Sequence, residues 1–166
     1  MTTKVPSEFL STGAITQIVS TTKTDTWSSS TTTTWVDITG LNVTITPTYS
    51  TSKILINLHL SLSNYSLASF KLLRGTTVIT GALGDDGGGN RVQATIGPLS
   101  FGRDGHRANS ASIAFLDSPS TTSATTYKVQ AYTYDGTQYI NRSYTNNNAN
   151  YTSSSISSIT AMELMD

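Results

Sequence analysis

Histidine is the side chain best suited to proton transfer near neutral pH, and this chain has two, His59 and His106. His106 lies in "FGRDGHRANS", with Asp104 two residues before it and serines close by. A Ser–His–Asp arrangement needs an imidazole held by a carboxylate and turned towards a nucleophile. About a third of the chain is Ser or Thr, so a serine near a histidine is an expected coincidence. No G-x-S-x-G nucleophile elbow accompanies it. His59 falls on the polar side of an alternating stretch and reads as a surface or interface group. Neither histidine carries a catalytic reading.

The run "GDDGGGNR", residues 84–91, offers adjacent carboxylates beside an Asn. Oxygen ligands of that kind suit Ca²⁺, but the spacing is not that of an EF-hand loop and no Glu closes it. A phosphate-cradling loop would need a Lys-Ser/Thr pair entering a helix, and none follows. The stretch reads as a flexible solvated loop, with a weak ion site as the other possibility. There is no cysteine, which removes disulfides and thiolate metal sites. No cofactor and no metal are expected. Four N-x-S/T sequons, at Asn42, Asn64, Asn141 and Asn150, are about what this composition produces by chance.

Aromatics gather late in the chain, and "YTNNNANYT" places Tyr144, Asn146, Asn147, Asn148 and Tyr151 together. Tyr and Asn are the residues of adaptable recognition loops, so these five are the candidate receptor or surface loop. The plainer reading is strand tyrosines with their hydroxyls at the surface.

These residues need a scaffold, and the composition points to one. Charged residues make up 12% of the chain and the formal net charge is zero. The apolar residues occur in short alternating runs of Val, Ile, Leu and Tyr among Thr, which favours pleated sheet over disorder. From residue 14 onward the expected strands are Ala14–Lys23, Thr33–Ile38, Leu41–Pro47, Ser52–Ser63 and Leu67–Arg74. Thr77–Gly81, Arg91–Ile96, Ala108–Leu116, Thr126–Tyr134, Gln138–Arg142 and Ser155–Leu164 follow. Such a series predicts an all-β sandwich, jelly roll or barrel. The uncharged stretch "SPSTTSATT" after Asp117 reads as a surface loop between two strands.

"KILINLHLSLS" is the clearest element: Ile54, Ile56, Leu58, Leu60 and Leu62 share one face, because strand side chains alternate. In the last strand Ile159, Ala161, Glu163 and Met165 share a face, while Met162 and Leu164 take the other. Apolar residues on both faces predict a strand that is either central in the core or buried partly by another subunit, and the second reading is favoured. We therefore expect Ile159, Ala161, Glu163 and Met165 at a subunit interface, with Glu163 in a structural ion pair. Residues 1–13 read as an N-terminal arm ahead of a domain spanning 14–166. Val5, Phe9 and Leu10 are its apolar grips, expected to anchor onto a neighbour.

Zero net charge and ten dispersed basic residues give no stripe for nucleic acid and no polybasic patch for a membrane. No apolar run is long enough to cross a bilayer, and "MTTKVPSEFLSTGAITQIV" lacks the apolar centre of a signal peptide. Synthesis in a cytoplasm is the expectation.

"ITQIVSTTKTDTWSSSTTTTWVDITGLNVTITPTYSTSKILI", "FLDSPSTTSATTYKVQAY", "YINRS" and "SSITAMELM" together resemble a virion structural domain of tailed bacteriophages of marine and freshwater bacteria. The resemblance runs over about residues 14–165. It implies a compact antiparallel β-sandwich of jelly-roll type, like the knobs of viral fibres and decoration proteins, and a homotrimer. The implied role is non-enzymatic and on the virion, with the major capsid protein or other virion proteins as partners. Only about thirteen residues precede the domain, which favours a head decoration protein over a short tail-fibre tip that binds a host surface glycan or protein. A glycan hydrolase would need two positioned carboxylates, and nothing in the sequence places them.

Overall fold

The computed structural model describes residues 12–100 and 106–166. The expected arm grips Val5, Phe9 and Leu10 lie outside the described residues, as does Asp104. Eleven strands are described: β1 (Ile15–Lys23), β2 (Trp27–Ser29), β3 (Val36–Ile45), β4 (Lys53–Asn64), β5 (Ala68–Arg74), β6 (Thr77–Val78), β7 (Ile96–Leu99), β8 (Asn109–Asp117), β9 (Thr125–Thr133), β10 (Gln138–Ile140) and β11 (Ser157–Leu164). A 3-10 turn, Thr80–Ala82, follows β6.

Four antiparallel pairs explain the architecture: β1 with β11, β3 with β9, β4 with β8, and β5 with β7. Each pair is nested inside the one before it in sequence. The chain is therefore one long hairpin rolled up, which is the jelly-roll arrangement. Rolling places β1, β11, β4 and β8 side by side in the first sheet, extended by β10 and β2. The second sheet runs β3, β9, β5, with β6 and β7 along the far side of β5. The Ser/Thr-rich connection after Asp117 carries the chain from the first sheet to the second, mostly exposed.

The core lies between the sheets, and alternation decides what enters it. Ile54, Ile56, Leu58, Leu60 and Leu62 of β4 point inward and are at most 3% exposed. Phe70 and Leu72 of β5 and Tyr127, Val129 and Ala131 of β9 meet them from the other sheet. Each such aliphatic side chain contributes roughly 1.5–3 kcal/mol by leaving water. The central row of β4 thus supplies much of the apolar drive that closes the sandwich.

Two glycines are required by geometry. Gly40 has φ +80° inside β3, where the register against β9 shifts between Asp37 and Asn42. A bulge with one residue in the left-handed region keeps that strand continuous. At Gly97 an added Cβ would lie 2.7 Å from Ser69 Oγ and 2.9 Å from Ala68 O, so β7 can approach β5 only without a side chain there.

Buried polar groups are hydrogen-bonded at the margins of the core. Asp117 Oδ2 accepts from Tyr127 Oη at 2.7 Å and from Arg74 Nη1 at 2.9 Å, joining β8 to β5 and β9. Burial first, and then the neighbouring Asp117 carboxylate, push the Tyr127 hydroxyl far above the ordinary tyrosine range. Elsewhere at the margin of the core, Asn141 donates to Lys23 O and Asp25 O and accepts from Ser157 Oγ.

Candidate functional site

The last strand corrects the interface expectation. Ile159, Ala161 and Glu163 point into the chain's own core and are fully buried there, so they have no surface to offer a partner. Met165 lies just beyond β11 and is half-buried. Strand β11 sits between β1 and β4 in the first sheet, and its burial alternates residue by residue. One face builds the core and the other, Met162 and Leu164, stays on the outside of the first sheet.

Glu163 also departs from the expected ion pair. Among the described residues its partners are donors of a different kind: Thr48 N–H at 2.5 Å and Ser52 Oγ at 2.8 Å on Oε1, and Thr48 Oγ1 at 3.0 Å on Oε2. Burial alone would push its carboxyl up, but these hydrogen bonds outweigh it and hold the pKa below the usual glutamate value. The carboxylate thereby ties the β3–β4 connection to the last strand.

The outer face of the first sheet carries a row that the sequence did not announce. Register places Ile18 opposite Met162, Met162 opposite Leu55, and Leu55 opposite Leu116. One apolar residue from each of four adjacent strands therefore lines up across the sheet. Ile18 is 60% exposed and Leu116 49%, with Ile15 beside them at 53%. On one side the next rows are mostly polar, running Ser20, Thr160, Asn57, Ala114 and then Thr22, Ser158, His59, Ser112; on the other side lies Ile15, Leu164, Lys53. His59 has its Nδ1 3.2 Å from Ser112 Oγ. Strand β8 pairs with β4 along one side and forms that margin of the sheet.

The candidate recognition loop is brought together in part. The Tyr144 ring is edge-on to Tyr139 at 5.4 Å and tilted against Tyr65 at 5.9 Å. The Arg142 guanidinium covers Tyr139 at 4.2 Å and donates from Nη2 to Tyr144 O. Asn147 Nδ2 donates to Tyr151 Oη at 2.7 Å, and Asn148 takes φ +50°. Asn146 joins neither cluster. His106, considered above as a base, instead meets Tyr151 edge-on at 4.9 Å. A second aromatic group, Trp35, Tyr132 and Tyr134, lies beside loop 83–94, and pairing of strands far apart in sequence brings it together.

In loop 84–91 the two carboxylates serve the loop itself. Asp85 Oδ1 accepts from Gly87 N–H at 3.1 Å and Asp86 Oδ1 from Gly88 N–H at 2.7 Å. These are Asx turns, with Gly87 and Gly88 at positive φ. Among the described residues no three His, Cys, Asp or Glu side chains cluster in a way that would hold a metal ion.

No protein-family model matches the chain, and no curated protein matches it. A solved structure titled "Structure of infectious bursal disease virus Gx strain" is similar over 93% of this chain and 43% of that one, at 12% identity and a TM-score of 0.43. This chain thus spans less than half the length of that one.

Proposed function

We propose that this protein is a non-enzymatic structural component of a bacteriophage virion, a decoration protein seated on the head as a homotrimer. The observation that carries the reading is the apolar row Ile18–Met162–Leu55–Leu116 on the outer face of the first sheet, its two ends about half exposed and its two central residues partly buried. Contiguous apolar surface of this kind marks a contact with another protein. A second subunit is the occupant we assign to it, because edge strand β8 lies alongside the row and extends the contact. The sequence resemblance to phage virion domains supplies the particle, and the capsid protein is the partner at the opposite contact. The arm grips Val5, Phe9 and Leu10 are the residues we assign to capsid attachment.

Copy number per purified particle, measured by quantitative mass spectrometry against the major capsid protein, tests the role. Hundreds of copies agree with decoration of the head. A few dozen or fewer would overturn it and favour a tail-fibre tip, with Tyr144, Asn147 and Tyr151 as the surface that meets the host. Light scattering of Ile18→Asp combined with Leu116→Asp tests the subunit contact. The variant should be monomeric where the parent is trimeric. A parent that is itself monomeric, or a variant that stays trimeric, would remove the row from the assembly.

A further inference from the structure

Loop 83–94 does not lie flat against the molecule. It leaves the 3-10 turn, closes on itself through Gly84 N–H to Ala94 O at 3.1 Å and Gln93 Nε2 to Gly84 O at 3.2 Å, and returns to β5. There Thr95 N–H donates to Phe70 O, while Thr95 Oγ1 accepts from Leu72 N–H. The base of the loop is fixed to the second sheet, and its far part arches over that sheet's outer face. Two cavities remain beneath and beside it.

One cavity, of about 480 Å³, is walled by Tyr132, Tyr134 and Leu67, with Asp85, Arg91 and Gln93 at its rim. The other, of about 570 Å³, shares Tyr132, Arg91 and Gln93 and adds Trp35, Lys71 and Asp86. Tyr132 therefore borders both. The Trp35 ring leans on Tyr132 at 5.3 Å, and the Lys71 ammonium holds Trp35 from above at 4.3 Å. Tyr134 is 63% exposed, so its ring is presented to solvent rather than packed.

We infer that this double cleft binds a neutral saccharide of at least two rings, stacked on Tyr134 and Tyr132 and hydrogen-bonded by Asp85, Arg91 and Gln93. Both volumes fall in the range of small-molecule sites, which are mostly apolar with a few convergent polar groups. A sugar ring has an apolar C–H face that suits an aromatic ring and an equatorial belt of hydroxyls that need both donors and acceptors. Here the acceptor is the Asp85 carboxylate, held at the rim by Gly87 N–H. The donors are Arg91 and Gln93, and amide and carboxylate groups satisfy adjacent hydroxyls in pairs. Asp85 and Asp86 are matched in number by Arg91 and Lys71, so the cleft favours an uncharged ligand. Two cavities meeting at one tyrosine suit two linked rings better than one. The inference does not depend on the virion reading, since it rests on the cleft alone.

Isothermal titration of the intact protein with lactose, maltose and cellobiose, alongside the anionic sugar N-acetylneuraminic acid, tests it. At least one neutral disaccharide should bind with a millimolar Kd. Tyr134→Ala should weaken it about ten-fold, in line with the contribution of an aromatic contact. Asp85→Ala should weaken it at least as much by removing a charged acceptor. Both residues are exposed, so both variants should keep the far-ultraviolet spectrum of the parent. Absence of binding by all three disaccharides overturns the inference. So does tighter binding of the anionic sugar, or a disaccharide affinity that neither substitution changes. None of these results alters the copy number on particles, which separates this test from that of the virion role.

Discussion

Replacing Glu163 by glutamine keeps the shape of the side chain and removes its charge, which isolates what the carboxylate does at the end of β11. Three hydrogen bonds reach it, from Thr48 N–H, Thr48 Oγ1 and Ser52 Oγ. A hydrogen bond to a charged group contributes about 1 kcal/mol more than one between neutral groups, so three give about 3 kcal/mol in favour of the parent. The amide is cheaper to bury than the carboxylate, which returns part of that difference. A net loss of about 2 kcal/mol at pH 7 follows, or a Tm lower by about 4–8 °C for a domain of this size. The pKa of Glu163 is depressed in the folded chain. The charge therefore stabilises the fold above the ordinary glutamate pKa, and that contribution fades as pH falls through the folded value. Urea titrations of the parent and Glu163→Gln at pH 7 and at successively lower pH should show the gap narrowing as the carboxyl takes up its proton. Titration of other groups is common to both proteins and cancels in the difference. A variant as stable as the parent at pH 7, or a gap that does not change with pH, would refute the reasoning.

Tyr127→Phe should cost about 1–2 kcal/mol in urea unfolding, because Asp117 loses one of two donors and keeps Arg74. Spectrophotometric titration should find that Tyr127 stays protonated above the ordinary tyrosine pKa. Its neutral form is favoured by folding, so this contribution is intact below the ordinary tyrosine pKa and is lost above it. Gln138 is 1% exposed, and both polar atoms of its amide lack a hydrogen-bond partner among the described residues. Gln138→Leu should therefore be neutral or stabilising by up to about 2 kcal/mol. Destabilisation by more than about 1 kcal/mol in urea unfolding would refute this.

How far the fold could be read in advance varied with how local the signal was. The five-residue apolar face of β4 was legible because alternation is a property of the strand itself. Strand β3 was divided in two by Gly40, which reads as a terminator and is instead a bulge. Strand β7 was expected at Arg91–Ile96 and lies at Ile96–Leu99, because Pro98 argues against a strand in general. A proline is tolerated there because β7 lies at the margin of the sheet, beyond β5. Strand β2 is three residues, Trp27–Ser29, within a Ser/Thr-rich stretch and had no pattern to show.

The sites follow the same rule. Tyr144 and Tyr151 are close in sequence, yet the fold puts them in separate clusters, one on Tyr65 and Tyr139 and the other on Asn147 and His106. The partners of Glu163 are 111 to 115 residues away, so its role was invisible until the strands were paired. The apolar row needs one residue from each of four strands, and only register brings them together. The cleft needs β9 to lie beneath loop 83–94, again a matter of tertiary position.

The nesting of strand pairs bears on how the molecule comes into being. Strand β11 lies between β1 and β4, and Ile159 and Ala161 are fully buried parts of the core. While the ribosome is still making the chain, β1 has no neighbour in its sheet, and β4 lacks the strand that covers most of one side. The inner pairs of the roll can meet early, but the sandwich cannot close until Ser157–Leu164 has emerged. Closure then joins segments separated by almost the whole chain, the kind of long-range pairing that folds slowly. Until that moment the apolar face of β4 is exposed to every other nascent chain nearby. The risk of aggregation is therefore greatest before Ser157–Leu164 has paired with β1 and β4, and not in the finished sandwich.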